Sequence, residues 1–213
     1  MKYFPHLRFE EELWKDNLLV CGIDEVGRGS FAGPLVVGGI ILQPNLSVHD
    51  KEWILKLGIN DSKLLSKKKR EMILKITQEY IFASYIEFIS SSIINEHGVG
   101  FANKMGFLHI AKKAKSENHT RSVFFLTDAF LIPEIKTEKQ KNIIYGDATS
   151  ISIALASILA KITRDTFMEN LAQEFPHYEF QKNKGYGTKL HRERLKEYGP
   201  SPHHRTDFIS AYI

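Results

Sequence analysis

At 213 residues the chain is long enough for one well-packed α/β domain with a small appended lobe. Its 25% charged and 43% hydrophobic residues, without polar tracts or low-complexity runs, exclude a disordered chain, and no stretch reaches the roughly 18 apolar residues of a membrane span. The net charge of +4 leans towards polyanionic partners, while a lone Cys21 excludes an internal disulfide and, with no export signal at the N-terminus, fits a reducing, cytoplasmic setting.

Two short apolar segments rich in β-branched residues, 18–24 (LLVCGID) and 35–42 (LVVGGIIL), are joined by a glycine-rich link and predict an antiparallel hairpin. Segment 61–80 opens with Asp61 and Ser62 as possible N-caps and sets Leu65, Met72, Ile73 and Ile76 at helical spacing, which predicts one amphipathic helix. A strand over 81–89, a helix over 101–115 and a buried strand over 123–126 (VFFL) follow. A loop over 130–141 then leads to a short strand over 143–145 (IIY). The helix expected over 151–175 is apolar on nearly all sides in its first half, as a helix buried against a sheet must be. From Pro176 glycines and prolines punctuate a basic tail with one helix, 188–198, for which Thr188 is the candidate cap. The division is thus a core over 1–175 and a lobe over 176–213.

Acidic residues fall at telling places on this scheme. Asp24 ends the first strand with Glu25 beside it, Asp128 follows VFFL, and Asp147 follows IIY just before the long helix. In α/β sheets functional groups collect at strand ends, where a rigid backbone lets side chains from several strands converge. Clustered carboxylates raise one another's pKa values unless a cation lies between them, and oxygen-only ligands point to Mg2+ or Mn2+ rather than zinc. Taken singly, an aspartate at a strand end is more often a turn or cap residue. Gly27 and Gly29 around Arg28 let the backbone approach a sugar or phosphate closely, although a structural turn has the same composition. Neither a Walker loop nor a GxGxxG motif is present.

The blocks GIDEVGRGSFAGPLVV, DSKLLSKKKRE, TDAF, GDATSISIALASILAKITRD, KGYGTKLH and YGPSPHHRTDF together resemble, in order and spacing over about 18–208, the bacterial ribonuclease HII family. The resemblance implies a ribonuclease H-like mixed sheet flanked by helices, with a C-terminal helical lobe that helps clamp an RNA/DNA duplex. It implies an endonuclease that cuts the RNA strand of hybrids, and cuts 5′ of ribonucleotides embedded in DNA, leaving 3′-OH and 5′-phosphate ends. Asp24, Glu25, Asp128 and Asp147 match the family's metal ligands, which would hold two Mg2+ or Mn2+ ions. Gly27, Arg28 and Gly29 would read the ribose 2′-OH, which DNA lacks, and Tyr186 would pack against the neighbouring sugar. Lys63, Lys184, Lys189 and Arg192 are candidates for phosphate contacts. Asp165 is expected to support the structure by pairing with Arg164 or Lys161, and His204 with Arg205 to anchor the tail. A monomer with no protein partner is the family default. Ser30, Phe31 and Ala129 depart from the commoner family residues. The main rival is a non-catalytic hybrid-binding protein on the same scaffold.

Overall fold

The computed structural model describes residues 4–213. Five strands form one mixed sheet in the order β3-β2-β1-β4-β5, namely β1 (Leu19–Val26), β2 (Leu35–Leu42), β3 (Ile81–Ile89), β4 (Val123–Asp128) and β5 (Gln140–Ile143). The first three pair antiparallel, as the predicted hairpin requires; β4 runs parallel to β1, and β5 parallel to β4. Side chains alternate along a strand, so β1 serves two cores. Leu19, Cys21 and Ile23 pack with one helix layer, and Val20 with the other.

The chain opens with α1 (Arg8–Trp14), and α2 (Val48–Lys56) follows β2 behind a capping box made by Ser47 and Asp50. Neither helix is anticipated by the hydrophobic spacing. α3 (Lys67–Thr77) lies before β3, and α4 (Ser91–Glu117) covers one face of the sheet through Phe107, Ile110, Ala111 and Ala114. α5 (Ile151–Glu174) covers the other face. It lies directly on backbone: a Cβ at Gly22 would collide with the Ser152 main chain, and one at Gly38 with the Ala156 carbonyl. Its first turn is fastened by the buried Glu10 of α1, whose Oε1 accepts from Ser150 Oγ at 2.6 Å, Ser152 N at 3.0 Å and Ser152 Oγ at 2.7 Å. A carboxylate there also suits the positive end of the helix dipole.

Several boundaries differ from the expected ones. The segment 61–80 is not one helix, because it carries two cap signals and both are used. Asp61 caps a 3-10 turn, Ser62–Leu64; Leu65 is extended; Ser66 then caps α3, and a second 3-10 turn, Gln78–Tyr80, ends the segment. α4 starts ten residues before 101 because it runs across a break at Gly98 (φ 81°, ψ 158°), which interrupts the helical spacing. β5 covers Gln140–Ile143 rather than 143–145. Its polar residues disguise it as loop, and Gln140 earns its buried place by bonding the main chain of Ile132 and Ile135.

Past α5 the tail carries α6 (Phe180–Asn183), α7 (Lys189–Tyr198, capped by Thr188) and α8 (Thr206–Ile209). Tyr178, Phe180, Leu195 and Ile209 form a cluster with Ala32 and with Met168, Leu171 and Ala172 of α5. At its centre, Ser201 N–H donates to His204 Nδ1 (2.9 Å), His204 Nε2 meets His191 Nε2 (3.0 Å), and His191 Nδ1 meets the Tyr186 carbonyl (3.0 Å). A backbone N–H only donates and a carbonyl only accepts. Both rings are therefore neutral, with His204 donating to His191 and His191 donating to Tyr186. Burial holds both below the ordinary histidine range, and together with the repulsion that a protonated His191 would exert it brings His204 to about 4.

Two outcomes follow from this packing. Gly38→Ala should destabilise the protein by about 1–3 kcal/mol, seen as a lower urea midpoint, because the added methyl pushes α5 off β2. The histidine pair should make the protein acid-sensitive. An unfolded histidine takes its proton near pH ~6.5 whereas folded His204 resists until about 4, so stability is complete above the first value and drains away between them. At pH 5 the loss should be about 2 kcal/mol. Thermal midpoints at pH 7 and pH 5 measure it, and His204→Gln should flatten the difference.

Candidate active site

The parallel pairing of β1 with β4 does much of the assembly. Ile23 lies opposite Thr127, so the next residues, Asp24 and Asp128, are neighbours on the same face. Asp24 is within β1 rather than at its tip, and Asp128 is the last residue of β4. Beyond β5 the chain turns through Tyr145, in the left-handed region, into a 3-10 turn, Gly146–Ala148. This returns Gly146 N–H to Asp128 Oδ1 at 2.7 Å and sets Asp147 within electrostatic reach of both Asp128 and Asp24. Asp24 and Asp147 are buried, with only 4% and 9% of their surface exposed. The Asp24 Oδ1 accepts Glu25 N–H at 2.8 Å, and Ser157 of α5 also bonds the Asp24 carboxyl.

The four acids destabilise one another's charges. Burial raises the Asp24 carboxyl well above the usual range, and Glu25 and Asp128 raise it further against the Ser157 hydrogen bond. Glu25 is pushed up to about 7 by burial and then Asp128, with Arg28 and Lys63 opposing. Burial also raises Asp128, partly offset by Gly146 N–H and Lys63. Asp147 reaches about 6 through burial, Asp61 and Asp128. Asp61 is a further carboxylate of the site, expected only as a helix cap; its position one residue ahead of Ser62-Lys63 in the DSK block is the signal that could have found it. Burial works against the Lys63 ammonium, but Asp61, Asp24 and Asp147 prevail and raise it. The centre is thus short of positive charge. Glu25 Oε2 is buried without a hydrogen-bond partner. Among the described residues, no group of three or more His, Cys, Asp or Glu side chains makes a ready metal cage.

The segment after β1 separates the two glycines of GRG. Gly27 (φ +93°) lies against the Arg164 guanidinium, with which a Cβ would collide; a Cβ at Gly29 would meet nothing within 4 Å. Arg28 is exposed, with its guanidinium 4.5 Å from the Phe130 ring centroid. Neither the Arg28 nor the Gly29 N–H has a hydrogen-bond partner among the described residues. Tyr186 has its ring 5.3 Å from the Arg164 guanidinium and 5.7 Å from Lys161 Nζ. Lys184 is drawn elsewhere: its ammonium is 2.8 Å from Glu169 and 2.6 Å from the Gln181 carbonyl. Lys189 is exposed and faces Glu193 at 4.0 Å, while Arg192 lies over the Tyr212 ring.

Asp165 pairs with Lys161 at 2.7 Å, as one of its two expected partners, and with Arg70 at 3.2 Å. Arg70 in turn holds the Ser62 and Leu65 carbonyls, so this pairing steadies the turn that carries Lys63. Arg164 instead turns to the segment after GRG. The unusual residues also find places. Ser30 Oγ donates to the Gly27 carbonyl and accepts from Arg164, each at 2.9 Å. The Phe31 ring occupies the space that a side chain at Gly187 would need. Ala129 adopts φ 57°, in the left-handed region, where an alanine costs about 1–2 kcal/mol and a glycine would meet no steric penalty.

A family model described as Ribonuclease HII matches residues 21–211. Relatives named Ribonuclease HII from Clostridium tetani and Clostridium beijerinckii are 39% and 42% identical to this chain; the matches cover 95% and 91% of it, and 72% and 68% of the relatives. A chain from the PCNA:RNase HII complex of Archaeoglobus fulgidus shares the fold, with TM-score 0.70 at 24% identity over 90% of this chain and 94% of that one. Bst-RNase HIII in complex with Mn2+ does so with TM-score 0.64 at 21% identity over 85% and 63%. The strand pairing, the gathered carboxylates and these matches lead to one conclusion: the chain belongs to the ribonuclease HII family and is a phosphodiester-hydrolysing nuclease that acts on RNA/DNA substrates.

Proposed function

We propose that the protein is a metal-dependent endonuclease that cuts the RNA strand of RNA/DNA hybrids and cuts 5′ of ribonucleotides embedded in DNA, leaving 3′-OH and 5′-phosphate ends. The observation that carries this reading is the juxtaposition of the Asp24, Glu25, Asp128 and Asp147 cluster with the open backbone at Gly29. The cluster suits a hard divalent cation. Its carboxylates are pushed up by burial and mutual repulsion, and Glu25 keeps an unpartnered buried oxygen. Mg2+ is commonly held by one or two carboxylates together with waters and substrate phosphate oxygens, so a closed protein cage is not required. Bound by these residues, Mg2+ or Mn2+, as two ions in the full reaction, would polarise the phosphate and make a water nucleophilic at neutral pH.

The protein's own groups bind and orient the duplex. Lys63 offers an ammonium for a phosphate at the edge of the acids, and exposed Lys189 and half-buried Arg192 extend the positive surface along the lobe. Lys184, committed to Glu169, contributes by holding its loop rather than through a free charge. The unpartnered N–H groups of Arg28 and Gly29 are donors for a 2′-OH or an adjoining phosphate oxygen. Tyr186, stacked near Arg164, provides an apolar face for the neighbouring sugar. The lobe over 176–213 would close on the duplex from the side of the second half of α5.

A duplex containing one ribonucleotide should be nicked 5′ of it with Mg2+ or Mn2+, and neither with EDTA nor when the duplex is all DNA. Asp24→Asn should lower turnover at least about 100-fold while leaving duplex affinity nearly unchanged, because phosphate contacts dominate binding. Failure of the metal-dependent nick would refute the reading and favour a simple hybrid binder. The two glycines should behave differently. Gly29→Ala should keep the thermal midpoint yet slow cleavage by about 10–100-fold through a misplaced sugar. Gly27→Ala should lower the midpoint, since it meets both a collision with Arg164 and an unfavourable φ.

A further inference from the structure

Two arginines are wholly buried beside the GRG segment, and the sequence assigns neither a part in substrate reading. Among the described residues their hydrogen bonds end on carbonyls and on Ser30, not on carboxylates. Arg205 Nη1 donates to the Gly27 carbonyl at 2.7 Å and the Arg28 carbonyl at 3.0 Å, while its Nε and Nη2 donate to the Gly33 carbonyl at 3.1 and 2.8 Å. Arg164 donates to the Pro34, Lys184 and Ala32 carbonyls at 2.9, 2.8 and 3.0 Å, and to Ser30 Oγ. Burial lowers the pKa of both groups, and in Arg205 the charge of Arg164 adds to it. Two unpaired buried cations side by side are costly, and apolar side chains of similar size would avoid that cost. They would not, however, satisfy this row of inward carbonyls.

The geometry of the peptide unit gives that row a consequence. In a trans peptide the C=O and the following N–H point in opposite directions. The Gly27 carbonyl shares its peptide with Arg28 N–H, and the Arg28 carbonyl shares its peptide with Gly29 N–H. With both carbonyls drawn inward by one guanidinium nitrogen, both N–H groups must face away from the protein interior, and these are the two donors without partners. Ser30 Oγ reinforces the arrangement by donating to the same Gly27 carbonyl while receiving Arg164.

We infer that Arg205, braced by Ser30 and Arg164, is a positioning residue that aims the Arg28 and Gly29 N–H groups at the substrate sugar. Docking of the C-terminal segment then controls ribose discrimination as well as duplex grip. The inference rests on the proposed function, since it presumes that this segment reads a ribose.

The test compares Arg205→Lys and Ser30→Ala with the unsubstituted protein. The readouts are affinity for an all-DNA duplex, affinity for the same duplex with one ribonucleotide, and turnover on the latter, with far-UV circular dichroism to confirm folding. Expected for Arg205→Lys is a loss of about 10-fold or more in the ribonucleotide-to-DNA affinity ratio and in kcat, with all-DNA affinity nearly unchanged. Ser30→Ala should show the same pattern to a smaller degree. Should Arg205→Lys not fold, Ser30→Ala decides, since it removes one hydroxyl and leaves the guanidinium in place. Folded variants that keep the ratio and the turnover of the unsubstituted protein overturn the inference while leaving the functional reading intact. An unsubstituted protein without any preference for the ribonucleotide overturns both.

Discussion

The contact on which the rest of the molecule depends is the seating of α5 directly on the backbone of β1 and β2. Gly22 and Gly38 remove the side chains that would hold the helix away, and Glu10 fastens its first turn. This one helix then supplies Ser157 to Asp24 and to Ser62, Asp165 to the Arg70 network, and Arg164 to the segment after β1. A displacement of α5 would therefore be felt at the carboxylates, at the Lys63 turn and at the GRG segment together. Rigid elements of this kind hold functional groups more tightly than loops do.

Electrostatics set the second constraint. The carboxylates are crowded where burial and mutual repulsion both disfavour their charge, and Lys63 and Arg28 are their nearby cations. On the far side of the GRG segment the reverse holds, with Arg164 and Arg205 buried among carbonyls. The polypeptide between them thus separates an anionic pocket from a cationic interior, and each peptide of the segment is oriented by the side that takes its carbonyl. Both arrangements cost stability that an apolar core would not lose. Such costs are retained where they position or activate groups.

Much of this was legible before any coordinates. The acids could be found because each stands at or near the end of an apolar strand signal, and the sequence blocks around them pointed to one family. The β1–β2 hairpin and the long buried helix are likewise visible in their spacing. What was hidden had a physical reason in each case. Asp61 looked like a helix cap because it is one, and only the fold brings that cap beside Asp147. β5 is hidden because one buried polar residue, Gln140, satisfies a neighbouring loop, and the exposed Lys141 and Asn142 give no alternating pattern. Arg164 sits beside Asp165 in sequence and invites an ion pair, yet its guanidinium reaches the other way, while Arg70, 95 positions distant from Asp165, takes that partner's place.

By itself, then, the sequence determined the inventory: which carboxylates, which glycines, a helix apolar enough to be buried and a chain assignable to one family. Those features are local in pattern and composition, so they survive without knowledge of long-range contacts. The tertiary structure alone decided how the inventory is used. The parallel register of β1 and β4 makes neighbours of Asp24 and Asp128, over a hundred residues apart in sequence. The approach of Arg164 and Arg205 divides two similar glycines into one packed against a guanidinium and one facing open space. Such distinctions arise from which atoms meet across the fold, and a string of residue types does not contain them.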